Sequence, residues 1–149
     1  MSEEFLDFNP VSRITVGTVG PPGQRVFLLQ ATQGSSTITL KMEKEQAKVL
    51  ATSILELLED LDEKYPRTHS KFDEPLSADL MIQEPVEPVF SIGQIGLGYD
   101  DRQDMVVLVV QEIPPESTLE KPTTARFWAT RSQMKALSDH SLKDRKSVV

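Results

Sequence analysis

The sequence predicts an α+β fold: two β-β-β-α repeats forming a largely antiparallel sheet assembly with two helices packed on it. Three observations carry this reading. The stretch Ile14-Thr-Val-Gly-Thr-Val-Gly20 is echoed 76 residues later by Phe90-Ser-Ile-Gly-Gln-Ile-Gly96. Each copy is followed by a continuous apolar run, then by a segment that alternates, and then by one with helical spacing. All seven Gly fall in strand or turn regions and none in a helical segment. The organisation implied is a single domain over residues 1–149, with repeats at 13–64 and 90–146 joined by a Pro-rich linker at 65–89.

Residues 1–12 hold Phe5, Leu6, Phe8 and Val11 among acids, which is too apolar for a free tail, so a terminal arm that covers part of the core is expected. From Arg13 the residues alternate, with Ile14, Val16 and Thr18 on one side, until Gly20-Pro-Pro-Gly23 interrupts. Pro22 presets φ for the first central position of a type II turn, and Gly23 accepts the positive φ required at the second. Val26-Phe-Leu-Leu29 reads as a strand covered on both faces. After a turn at Gly34-Ser-Ser36, Ile38, Leu40 and Met42 alternate with Thr37, Thr39 and Lys41, the pattern of a half-buried outer strand.

Residues 43–64 carry the clearest helical stripe, in which Ala47, Leu50, Ala51, Ile54, Leu57, Leu58 and Leu61 recur at spacings of three and four. Glu56, Glu59, Asp60, Asp62 and Glu63 crowd its last two turns, where the helix dipole disfavours negative charge. Helix stability therefore does not account for these acids, which suit a solvated face or an acidic docking surface. The linker holds Pro66, Pro75, Pro85 and Pro88, and its one apolar cluster, Leu80-Met-Ile82, suits a short strand or helical turn lying across the domain.

In the second half, Phe90, Ile92 and Ile95 begin a strand, Gly98-Tyr-Asp-Asp-Arg-Gln-Asp104 reads as a turn, and Met105-Val-Val-Leu-Val-Val110 repeats the doubly apolar run. A loop at 114–122 leads to Ala125, Phe127 and Ala129, which alternate with Arg126, Trp128 and Thr130. Thr130-Arg-Ser-Gln133 has capping-box spacing, and Glu43-Lys-Glu-Gln46 has a related form one repeat earlier. Met134, Leu137 and Ser141 give the second helix one buried stripe.

Composition excludes several classes of function. A count of zero Cys removes disulfides and thiolate metal sites, and it suits a reducing cytoplasm. The acidic start has neither a basic nor an apolar signal region, so export is not expected. No apolar run approaches the roughly 18–20 residues of a membrane helix. A net charge of -7 repels phosphate backbones, so neither nucleic acid nor membrane is an expected partner.

Motifs for chemistry are equally sparse. Gly17, Gly20 and Gly23 have the look of a phosphate loop, yet a strand follows them where a phosphate cradle needs a helix N-terminus. His69 and His140 lie far apart, and Asp100, Asp101 and Asp104 lack the alternation and central Gly of a calcium loop. No catalytic residue, cofactor or metal site is predicted. The candidate that survives is a sheet face bearing Lys41, Arg126 and Trp128, because a Trp beside an Arg is a composition enriched at binding hot spots. It would take an unknown protein partner or a second copy of the chain, with Trp128 open or else covered by the arm or the linker. The alternative is a small-molecule or nucleotide pocket with modest hydrolytic activity, formed where the two Gly-rich stretches pair across the domain and lined by Arg25, Gln30, Tyr99 and Asp100.

Val16-Gly-Thr-Val-Gly-Pro-Pro-Gly-Gln-Arg-Val-Phe-Leu-Leu-Gln-Ala31, Glu43-Lys-Glu-Gln46 with its Leu-rich helix, and Gly93-Gln-Ile-Gly-Leu-Gly-Tyr-Asp100 resemble the bacterial family catalogued as domain of unknown function 3090, found largely in actinobacteria. The resemblance covers residues 8–142, and its first motif is the most specific. Members commonly end in a Cys-containing tail resembling a metal-binding knuckle. This sequence contains no Cys, so the resemblance carries over no metal, and it implies neither a reaction nor catalytic residues.

Overall fold

Strand β1 (Phe5–Phe8) is followed by β2 (Arg13–Val19), β3 (Val26–Gln33), β4 (Ser36–Met42) and helix α1 (Lys44–Lys64). A 3-10 turn at Ser77–Leu80 then leads to β5 (Ile92–Asp100), β6 (Met105–Glu112), β7 (Thr124–Ala129) and helix α2 (Arg131–Lys146). The structure is a computed structural model, which describes residues 5–66, 77–114 and 121–146. The fold is α+β, and the described strands form two sheets, β2-β3-β4 and β1-β7-β6-β5. The pairings within these sheets are antiparallel except that of β1 with β7, and an isolated parallel bridge joins Lys41 of β4 to Ser91.

The hairpin between β2 and β3 closes as its residues dictate. Gly23 has φ 85° and the Gln24 N–H donates to the Pro21 carbonyl at 3.0 Å, with Pro22 and Gly23 as the central pair. Both helices start on side-chain caps. At α2 the Thr130 hydroxyl accepts from the Gln133 N–H at 3.0 Å while the Thr130 N–H donates to Gln133 Oε1 at 2.8 Å. At α1 the Glu43 N–H donates to Gln46 Oε1 at 2.7 Å, and the Gln46 amide goes on to reach the Ile92 carbonyl at 3.0 Å. One cap thus also ties the helix to β5.

A shared core binds the two sheets and both helices. Ile14, Val16, Leu29, Ala31, Ile38 and Leu40 point inward from the three-stranded sheet, and Val106, Leu108, Val110, Ala125, Phe127 and Ala129 do so from the other. The helices contribute Ala47, Leu50, Ile54, Leu58 and Leu61 with Met134 and Leu137, and α1 packs along α2. Leu57 of the anticipated stripe lies at its half-buried margin. Phe8 of the arm packs on Phe127 with ring centroids 5.4 Å apart.

Three expectations are corrected. The two Gly-rich stretches do not pair with each other, because β2 is taken by β3 and β5 by β6. Residues 89–91 meet β4 instead: the Val89 N–H donates to the Thr39 carbonyl at 2.9 Å and the Lys41 N–H donates to the Phe90 carbonyl at 3.0 Å. The strand before the second turn runs through Gly98 and Tyr99 to Asp100, which confines the turn to 101–104. Asp100 folds that turn back itself, since its Oδ1 accepts from the N–H groups of Arg102 and Gln103 at 3.0 and 3.2 Å.

The third correction concerns β4, whose second face is covered at its centre, with Thr39 only 1% exposed, while Lys41 at its end stays exposed. The end of the linker lies across that face and is held by polar side chains. Gln30 Nε2 donates to the carbonyls of Gln83 and Pro85 at 2.7 and 3.2 Å, and its Oε1 accepts from the Gln83 N–H at 2.9 Å. The Thr15 hydroxyl donates to the Leu80 carbonyl at 2.8 Å, Thr39 to Pro85 at 2.6 Å, and Arg13 Nη2 to Met81 at 2.6 Å. Gly17 permits this close approach: a Cβ there would sit 2.8 Å from Ile82 Cγ1. The carbonyls of Leu80, Met81, Gln83 and Pro85 and the Gln83 N–H are thus satisfied by the sheet beneath them.

Candidate interaction surface

The outer face of the four-stranded sheet is not covered in this way. The inward set on β7 is Ala125, Phe127 and Ala129, so strand alternation sends Arg126 and Trp128 to the opposite side. Trp128 lies across from Val107 and Arg126 across from Val109, and both valines are half-buried. Val107 and Val109 in turn oppose Gly98 and Gly96 on β5. A Cβ at either glycine would meet nothing within 4 Å, so the sheet beside the aromatic side chain is bare.

The arm completes this surface from the other edge. Parallel pairing sets Asp7 beside Arg126, whose Nε and Nη2 donate to Asp7 Oδ1 and Oδ2 at 2.7 and 2.6 Å. The guanidinium lies 4.8 Å from the ring centroid of Phe5 and 5.6 Å from that of Trp128. Each of these contacts orients the cation, and the bidentate bond to Asp7 raises its pKa further. The pair is well exposed, at 38% and 40%, so its contribution to folding is slight. Its effect is to hold a flat cation in one orientation between two aromatic side chains, which lowers the ordering cost of binding. Phe5 is itself 46% exposed. The sequence counts Phe5 among the apolar residues of a covering arm and does not single out Asp7, although the alternation of both with the inward-facing Leu6 and Phe8 is the signature of a strand.

Trp128 Nε1 donates to Asp100 Oδ2 at 3.2 Å, which fixes the indole over β6. Hydrogen bonds from the Gln103 side chain first, and then from the backbone of the turn and from Trp128, hold the Asp100 carboxyl below its ordinary value of 3.8. A depressed carboxyl pKa contributes stability that is complete above the unfolded value and lost as pH falls through the folded one. Trp128 is the chain's one Trp, so its fluorescence should report the change. An acid transition in emission with a midpoint below 3.8 is expected, and it should vanish in Asp100→Asn while far-UV circular dichroism stays constant through it. A midpoint at or above that value would contradict the assignment.

The other predicted residues are dispersed. Lys41 is exposed on β4, in the other sheet from Arg126 and Trp128. Arg25 stands in the hairpin before β3, and Gln30 is buried beneath the linker. Tyr99 and Asp100 are successive residues on opposite faces of β5. The structure therefore brings Arg126, Trp128 and Asp100 together, and it does not gather Arg25, Gln30, Tyr99 and Asp100 into a pocket.

Tyr99 belongs to a clamp around Arg131, which is 4% exposed. Arg131 reaches Asp104 at 2.9 Å and Asp62 at 3.5 Å, while the Tyr99 hydroxyl donates to Asp104 Oδ1 at 2.7 Å. Burial first, then the bond to Asp104, raises the Tyr99 hydroxyl above its ordinary value of 10.0. This cluster joins the end of α1, the start of α2 and the β5–β6 turn, and it accounts for one of the acids crowded at the end of α1. Among the described residues no group of three or more His, Cys, Asp or Glu could hold a metal ion, and His69 lies outside them. Among them, too, no helix is long and apolar enough to cross a membrane.

Two sheets sharing one core with a pair of helices, one sheet strapped by the linker and the other bearing a paired Arg126 and Trp128 on its outer face, define an α+β domain. The chain belongs to the family described as protein of unknown function (DUF3090), whose model matches residues 6–144. No curated protein and no solved structure matches it.

Proposed function

We propose that this chain is a non-enzymatic protein-interaction module that presents the outer face of its four-stranded sheet, centred on Arg126 and Trp128, to a protein partner. The observation that carries the reading is the Arg126 guanidinium, locked by Asp7 between Phe5 and Trp128 on a face that Gly96 and Gly98 leave bare. A rigid cation flanked by aromatic side chains is what protein hot spots use, and half-buried Val107 and Val109 extend the apolar area around it. The absence of Cys supports action in a reducing cytoplasm. The strand, strand, strand, helix order of both halves supports their origin as repeats.

Trp128→Ala tests the proposal, because it removes the anchor from an open face while leaving the core residues Phe127 and Ala129 in place. Pull-down from the source cell and analytical ultracentrifugation of wild type and variant should differ, with a partner lost by the variant or, if the partner is a second copy, with a dimer reduced to monomer. A monomeric wild type whose bound proteins are unchanged in the variant would sink the reading.

A further inference from the structure

A second surface lies at the free edge of β5. That strand pairs with β6 on one side, and no other described strand takes its second side, so alternate backbone N–H and C=O groups face outward along it. Beside this edge runs α1, and the two enclose a groove of about 670 Å³. Its apolar lining includes Val49, Leu57, Ile95 and Leu97, and Val49 is 59% exposed although it sits on the helix next to the core. Gly93 and Gly96 lie within the groove; the Gly93 carbonyl accepts from Gln46 Nε2 at 3.3 Å, while Gly96 brings no side chain to screen its backbone.

The charged residues lining the groove are Glu45, Glu56 and Asp60, all acidic and all on α1. From Glu45 to Asp60 the helix extends about 22 Å at 1.5 Å per residue, and the edge from Gly93 to Leu97 gives about 13 Å of strand. An extended peptide of about six residues thus covers the strand edge and stays within the length of the helical wall. The acids near the end of α1 disfavour the helix dipole, and while Asp62 is used by Arg131, Glu56 and Asp60 face the groove.

We propose that this groove binds an extended, basic segment of another protein by strand addition to β5, with its apolar side chains on Val49, Leu57 and Ile95 and its Lys or Arg side chains along the acidic wall of α1. Strand addition draws affinity from main-chain hydrogen bonds and specificity from the pockets beside the edge. An extended occupant is favoured over a helical one because a helix has no backbone groups left to pair with the strand. A second copy is disfavoured by charge, since two such edges meeting would bring six carboxylates together on chains that each carry -7. The groove lies on the edge of the sheet and the Arg126 and Trp128 surface on its face, with Gly96 bordering both.

The test uses the full chain and a fluorescein-labelled peptide, Arg-Val-Arg-Val-Arg-Val, read by fluorescence anisotropy, with the Glu-Val counterpart and a fully N-methylated Arg-Val peptide as controls. Saturable binding of the basic peptide is expected, weakened by about tenfold or more in the exposed double variant Glu56→Lys/Asp60→Lys and unchanged in Trp128→Ala. The N-methylated peptide should fail to bind, and the backbone amides of residues 93–97 should gain hydrogen-exchange protection with the basic peptide alone. Equal binding of the N-methylated peptide, or binding that the double variant leaves intact, would reduce the effect to non-specific charge attraction and overturn the proposal. A wild-type dimer that the double variant alters and the peptide does not displace would assign the groove to a second copy and likewise overturn it.

Discussion

Replacing Gln30 with leucine is expected to destabilise the protein by about 3 kcal/mol or more, the range for breaking a buried network that includes a charge. Gln30 is fully buried, and its amide joins two strands to the linker. Its Oε1 accepts from Arg13 Nη2 at 2.6 Å, and its Nε2 donates to the Thr39 hydroxyl at 2.9 Å as well as to the linker carbonyls. Leucine fills similar volume but leaves the Gln83 N–H without its partner and the Arg13 cation with fewer acceptors. Burial already lowers the Arg13 pKa, with the charge of Asp79 opposing, so the site has little tolerance for a lost acceptor. Urea denaturation should show the loss of stability, and hydrogen exchange should show residues 80–90 opening before the core of α1. Equal loss of protection in both would mean that Gln30 supports the sheet rather than the linker.

Phe127→Ala should be still more costly, at about 3–5 kcal/mol against the roughly 5–15 kcal/mol that holds a typical domain folded. The ring is fully buried between Leu108 on β6 and Phe8 on β1, and alanine would leave a cavity that three strands cannot close. The adjacent Trp128 is larger but half-exposed, so its truncation should cost much less. Midpoints of urea unfolding for the two variants provide the check, and a Trp128→Ala loss equal to that of Phe127→Ala would contradict the facing assigned to β7.

The separation of those neighbours was legible from alternation alone. So were the turn at Pro22 and Gly23, the stripe on α1 and both capping boxes, because each is decided by residues within a few positions of one another. The two-sheet topology was not legible. Gly17 and Gly93 sit at matching places in similar stretches, yet one packs against Ile82 of the linker and the other against Ile113 at the border of a groove, and nothing local distinguishes them. Arg13, Thr15, Gln30 and Thr39 read as an ordinary polar strand face; only the linker carbonyls, some 46–68 residues away, make them buried. On the candidate surface, Arg126 and Trp128 could be read from composition and Lys41 could not be placed relative to them. Phe5 and Asp7 join that surface through a parallel pairing that no short-range pattern encodes.

That pairing has a consequence for biosynthesis. Asp7 and Arg126 are 119 positions apart, so the arm has no strand to join until β7 has left the ribosome. The three-stranded hairpin sheet is local enough to form while the rest is still being translated. Phe5, Asp7, Arg126 and Trp128 come together only once β7 has been synthesised. A partner that recognises them would ignore nascent chains and fragments that lack β7, so binding would report that both ends of this pairing are present.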